Sequence, residues 1–304
     1  MSTLTELAAQ DERVVLLTGD LGFMALEPFA DRFPGRFFNV GVAEQNMVGL
    51  STGLAQAGLI PFVYSIVTFA TLRAYEFIRN GPVLHRLPVR VVGVGGGFEY
   101  GPAGPTHHGL EDVAVMRAQP GLRVIAPADH EQMATALRAT WDLPGPTYYR
   151  IGKDDRNLVP NLGGRFELDR VQLVRDGGDL LILALGPIAA PAAAAAARLA
   201  EQGIECAVGV IASLNPPPRP HLAALLSRFG IVLTAEAHYV VGGIGSLVAE
   251  IVAEERLGCR LVRCGVSAPS DGLSGSQAWL EDRSGLSASA LARTAARALT
   301  EARS

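Results

Sequence analysis

Short apolar runs recur along the chain, each followed by a stretch whose apolar positions are spaced for a helix. Residues 13–18, 36–40, 59–64, 89–94, 122–126 and 146–150 read as strands. They are rich in Val, Ile, Phe and Tyr and mostly do not alternate, as strands covered on both faces do. Between them, residues 26–33, 43–57, 72–83 and 129–141 carry helical spacing or helix-start signals. That alternation predicts a parallel α/β sheet. The rhythm breaks over residues 152–169, which are polar and include Asp154, Asp155, Asn157, Asn161, Gly163 and Gly164. It then resumes, with strands at 180–185, 206–211, 231–235 and 261–264 and helices at 189–202, 220–228, 245–255 and 287–302. The expected organisation is one domain over 1–155, a linker over 156–178 and a second domain over 179–304.

A length of 304 residues suits two domains. Charged residues are only 18% against 49% apolar, which excludes a disordered chain. The formal charge of −4 lacks the basic footprint that nucleic acid or anionic lipid would require. Between Glu44 and Arg73 lie 28 residues without a charge or a histidine. Gly58 and Pro61 break that run and Gln45, Asn46 and Gln56 interrupt it, so it does not read as a membrane span. A large buried surface, shared between domains or with another subunit, is the expected cause. Cys206, Cys259 and Cys264 are too few and too irregular for a disulfide framework or a zinc site, and read as buried thiols of a cytoplasmic protein. The polar first dozen residues carry no signal segment.

Three segments carry candidate chemistry. Glu44 opens a helix after a strand, either as a carboxylate complementing the helix dipole or as a desolvated acid that keeps its proton. The Gly- and Pro-rich loop 101–112 follows a strand, at the end where α/β sheets place ligand sites. Its His107 and His108 suit hydrogen bonding or proton transfer better than metal binding, because adjacent side chains diverge. The glycines of 93–97 do not open a helix, so a dinucleotide fingerprint is rejected. Gly242 and Gly243 do open one, and read as close backbone packing.

Taken in order, Val42-Ala43-Glu44-Gln45, Thr68-Phe69, Gly104-Pro105-Thr106-His107-His108 and Gly242-Gly243-Ile244-Gly245-Ser246 resemble the transketolase family of thiamine-diphosphate enzymes. The resemblance implies an α/β fold of two domains: a pyrimidine-binding parallel-sheet domain, then a transketolase C-terminal-type domain. It implies that Glu44 hydrogen-bonds N1′ of the cofactor's aminopyrimidine, protonated in uncharged surroundings, so that the cofactor's carbanion can form. By position, Phe69 matches the aromatic that stacks on the pyrimidine. Asp20 matches an acid near the cofactor, His107 a histidine near the cofactor's amino group and the donor's oxygens, and Arg150 an arginine that binds substrate phosphate.

Two departures stand out: full-length relatives carry a histidine where Gly95 falls and an aspartate where Ala103 stands. A site that loses hydrogen-bonding partners changes its discrimination, so the expected substrate differs from the pentose phosphates, with fewer hydroxyls near the reacting carbon. The family's diphosphate-binding domain, with its magnesium motif, is not found in the sequence. The chain is therefore expected to act as the β-type subunit of a split transketolase. An α-type partner would hold Mg2+ and the diphosphate of thiamine diphosphate, giving an α2β2 assembly. The alternatives are the β subunit of a 2-oxoacid dehydrogenase complex, a carboligase resembling 1-deoxyxylulose-phosphate synthase, a catalytically silent interaction subunit and an independent small-ligand module.

Overall fold

The computed structural model describes residues 1–153, 157–268 and 271–303. The expected domain border between 155 and 156, with Asp154 and Asp155, lies outside the described residues. In chain order the first half carries α1 (Ser2–Gln10), β1 (Val14–Thr18), α2 (Glu27–Arg32), β2 (Phe37–Asn39), α3 (Glu44–Gln56), β3 (Ile60–Ile66), α4 (Tyr75–Ile78), β4 (Arg90–Val94), α5 (Asp112–Arg117), β5 (Arg123–Ile125), α6 (His130–Thr140) and β6 (Thr147–Ile151). The second half carries β7 (Gln172–Arg175), β8 (Leu180–Ala184), α7 (Ala189–Ala200), β9 (Cys206–Val210), β10 (Ser213–Asn215), α8 (Arg219–Leu226), β11 (Ile231–Tyr239), α9 (Ile244–Glu254), β12 (Arg260–Val266), α10 (Gln277–Arg283) and α11 (Ala288–Arg303).

Two sheets form. One runs β10-β5-β6-β4-β3-β1-β2 and is parallel except at β10; the other runs β12-β11-β8-β9-β7 and is parallel except at β7. The central strands β1, β4, β8 and β9 are buried along their whole length, which is why they read as mostly apolar runs, broken by Arg90 in β4 and Thr18 in β1. β1 pairs with β2 on one side and β3 on the other, so the connections leaving β1 and β3 diverge. Such a divergence opens a crevice at the carboxyl ends of parallel strands. One apolar cluster runs from Val15, Leu17 and Met47 in the first half to Leu181, Leu222 and Leu247 in the second, so the halves share a core.

Several elements differ from the expectation. Residues 172–175, inside the expected linker, form the edge strand β7, and within 157–169 Val159, Leu162 and Phe166 are buried. This stretch is tied down: the Val159 N–H donates to Asp129, and Gln132 donates to the Arg165 carbonyl. It is a packed strap, because Val159, Leu162 and Phe166 reach the core while its polar residues face out. The helix expected over 72–83 is mostly two wide π-type turns, Phe69–Arg73 and Arg79–Val83, around the single turn of α4, with Pro82 in the second. Of the cysteines, Cys206 is buried and Cys259 and Cys264 are half-buried; none is in a disulfide.

Candidate active site

Glu44 is the first residue of α3 and has no exposed surface. Ser65, near the end of β3, donates its hydroxyl to Glu44 Oε1 at 2.8 Å. Arg73, the last residue of the first wide turn, donates Nη1 to Oε2 at 2.5 Å. The surroundings of this carboxyl are therefore not uncharged, contrary to expectation. The residue that closes the charge-free run folds back onto the residue that opens it, because α3, β3 and the turn pack together.

The same Arg73 guanidinium lies over the Phe69 ring, 4.2 Å from its centroid. Phe69 in turn meets His107 edge-on, with centroids 5.0 Å apart. His107 Nδ1 shares a hydrogen bond with Thr106 Oγ1 at 2.9 Å. His108 turns the other way, buried edge-on against Phe98 with Nε2 near the Gly101 carbonyl. Glu44, Phe69 and His107 thus come together across three connections at the carboxyl edge of the first sheet.

Asp20 stands at the same edge, just past β1, but is exposed and held at φ 62°. Its carboxylate accepts from Asn39 Nδ2 at 2.8 Å and its N–H donates to Asn39 Oδ1 at 3.1 Å. This reciprocal pair ties the ends of β1 and β2 together, next to Gly19, whose Cβ position would lie 3.3 Å from Glu44 Oε1.

Arg150 departs most from expectation. It is 3% exposed, and its Nε donates to Asp112 Oδ2 at 2.9 Å. Nη2 donates to the carbonyls of Gly109 and of Ala237, the latter in the second half. Tyr148 donates to the same Asp112 oxygen at 2.7 Å. A Cβ at Gly96 would stand 2.5 Å from the guanidinium carbon, so the sequence clears space for this inward turn. Through these bonds Arg150 clasps the two halves.

The departure at Gly95 has a steric cause. Its φ is 80°, and a Cβ there would lie 2.2 Å from the Tyr100 ring. Tyr100 fills the space a side chain at 95 would take, stands 6.4 Å from His107, and carries the Lys153 ammonium 4.4 Å over its ring. Lys153 is the only lysine in the sequence, beside 25 arginines. Ala103 is exposed and offers no hydrogen-bonding side chain. A cavity of about 530 Å³ adjoins this edge toward α6, with Tyr64, Val94, Glu99 and Lys153 in its lining.

Ser65, Arg73, Tyr100 and Lys153 were not among the expected site residues. Two had a signal: Arg73 ends the charge-free run, and Lys153 is unique in type.

A buried carboxyl beside an aromatic ring and an imidazole fits the aminopyrimidine half of thiamine diphosphate, which needs a hydrogen-bonding acid and a stacking face. Among the described residues no three of His, Cys, Asp and Glu gather as metal ligands, and no helix is long and apolar enough to cross a membrane.

At the domain contact, Glu236 accepts the N–H groups of Ile244 and Gly245 at 2.7 and 2.8 Å, capping α9. Burial pushes its carboxyl up to about 7, against the pull of these two bonds and of Arg150 and Arg117. A Cβ at Gly243 would overlap this carboxyl, so the glycines do serve close packing.

Comparison with known proteins gives a consistent picture. Residues 1–157 match the family model "Transketolase, pyrimidine binding domain", and residues 169–291 match "Transketolase, C-terminal domain". A putative transketolase C-terminal section from Methanocaldococcus jannaschii is 37% identical over 87% of this chain and 84% of its own. One of the subunits of an apulose-4-phosphate transketolase, from Phocaeicola vulgatus, is 34% identical over 86% of this chain and 84% of its own. A solved split-gene transketolase, described as an inactive β4 tetramer, superposes with a TM-score of 0.87 at 36% identity, covering 98% of this chain and 96% of that one.

Proposed function

The chain belongs to the transketolase family, and from that premise we propose that it is the β-type subunit of a two-component transketolase. With an α-type partner in an α2β2 assembly, it would move a two-carbon ketol unit from a ketose to an aldehyde. The observation that carries this reading is the convergence of Glu44, Phe69 and His107 at one sheet edge. Relatives of similar length that are themselves subunits or sections of transketolases support the need for a partner.

Thiamine diphosphate, when bound, supplies the electron sink for breaking and remaking a bond beside a carbonyl. Glu44 would present its carboxyl to the ring nitrogen N1′, steadied by Ser65. Phe69 would stack on the pyrimidine. His107, held by Thr106 and edge-on to Phe69, would donate to substrate oxygens or shuttle a proton. Mg2+ and the diphosphate would be held by the partner's carboxylate and amide oxygens. Asp20 would stand at the rim of the cofactor site.

Three features support the substrate reading. Tyr100 takes the volume over Gly95, Ala103 carries no polar group, and Arg150 is engaged elsewhere. The substrate is then one with fewer hydroxyls near the reacting carbon than a pentose phosphate, and Lys153, over the Tyr100 ring, would meet any anionic end.

The test is to co-express the chain with a candidate α-type partner and assay two-carbon transfer and cofactor retention. Glu44→Ala should lower the rate of the assembled enzyme by about 10²–10⁴-fold, the scale of a lost proton-transfer group. Unchanged activity would mark a silent interaction subunit. Near-standard rates with xylulose 5-phosphate and ribose 5-phosphate would count against the substrate reading.

A further inference from the structure

We propose that the Arg73 guanidinium is a placeholder for the cofactor's aminopyrimidine: it fills the space between Phe69 and Glu44 and is displaced when the ring enters. The proposal rests on the reading above, in which Phe69 and Glu44 receive that ring.

The argument begins with shape. A guanidinium is a flat, delocalised cation that stacks on aromatic faces and donates hydrogen bonds in its own plane. An aminopyrimidine stacked on Phe69 and bonded to Glu44 has to make the same two contacts. Arg73 makes both at once, 4.2 Å over the ring and 2.5 Å from Oε2.

Next is the need for a stand-in. Glu44 is wholly buried, and Ser65 satisfies only one of its oxygens. A buried carboxylate without a charged or hydrogen-bonding partner is costly. The ion pair relieves that cost in the chain before it meets its cofactor.

Last is the way out. The Arg73 side chain is 36% exposed. Among the described residues Glu44 is its only polar partner, and it sits in a wide turn, a geometry frequent at functional sites. Arg150 shows the contrast: 3% exposed, bonded to a carboxylate and two carbonyls, it has no route to solvent.

The experiment uses the full-length chain alone and thiamine as probe, which lacks the diphosphate and so does not call on a partner. Dissociation constants are measured by ligand-observed NMR for the wild type, Arg73→Gln, Arg73→Lys and Glu44→Ala, with melting curves to confirm folding. A placeholder competes with the ligand, so Arg73→Gln should bind thiamine about tenfold tighter than wild type, the factor set by roughly 1.4 kcal/mol of competition removed. Arg73→Lys keeps the charge but not the flat face and should fall between; it also carries the test if Arg73→Gln does not fold. Equal or weaker binding by these variants would overturn the proposal and make Arg73 a positioning residue for Glu44. So would a crystal structure with thiamine bound and the guanidinium still on Phe69. Unchanged binding by Glu44→Ala would instead sink the underlying site reading. Binding by no variant would overturn both.

Discussion

Two arginines on either side of one sheet edge show how position, not residue type, decides a role. Arg73 reaches a buried acid from a partly wet turn, whereas Arg150 is enclosed between domains. The family resemblance suggests Arg150 as a phosphate ligand and does not reveal its burial, which depends on Asp112 and Ala237, 38 and 87 positions away. Losing one partner of such an enclosed pair typically costs about 3–5 kcal/mol. Arg150→Met should therefore lower the urea midpoint of the chain sharply while leaving the assembled enzyme's KM for a phosphorylated substrate unchanged. A stable variant with a raised KM would restore the phosphate role. Glu44, Phe69 and His107 were legible because each sits in a short motif whose order survives in sequence. Ser65 and Tyr100 were not, since nothing local distinguishes a serine in an apolar strand or a tyrosine in a loop from any other.

Among elements, the buried parallel strands were readable because their apolar runs leave few other structures open to them. The edge strands β7 and β10 were not: one alternates within a polar stretch, and the other has three residues whose partner, β5, lies about 90 positions earlier. The first helix turn of α9 carries a titration with a definite sign. The Glu236 carboxyl, ordinarily near 4.5, is raised to about 7 by burial. The folded chain holds that proton more tightly than the unfolded one. The contribution to stability is thus fully present below about 4.5 and lost as pH rises through about 7. Glu236→Gln removes this dependence. The stability difference, wild type minus variant, should fall by a few kcal/mol, to order of magnitude, between about pH 4 and pH 8. Urea titrations of both proteins across that range measure it, and parallel curves would show that the α9 cap keeps Glu236 ionised throughout.

For the molecule as a whole, the low charge content finds two outlets. One is the shared core, reinforced where Arg117 donates to the Gly242 and Gly243 carbonyls and the Tyr239 N–H donates to Leu110. The other is apolar surface that stays exposed: Val42, Leu50, Leu72, Phe77 and Leu84, on or beside α3 and the broken helix. On the proposed reading these side chains meet another subunit. The chain alone should therefore self-associate, and Phe77→Glu should shift its mass by light scattering toward a single copy. An unaltered mass would locate the contact elsewhere. Composition foretold such a surface; its location required the fold. The interlocking of the halves has its own consequence for anyone building chimaeras. The family models break between 157 and 169, yet residues 213–215 complete the first sheet from beyond that break. A hybrid spliced at the break would inherit its last strand from one parent and the groove receiving it from another. Crossovers between relatives must either match that seam or transplant the strand together with the surface it closes.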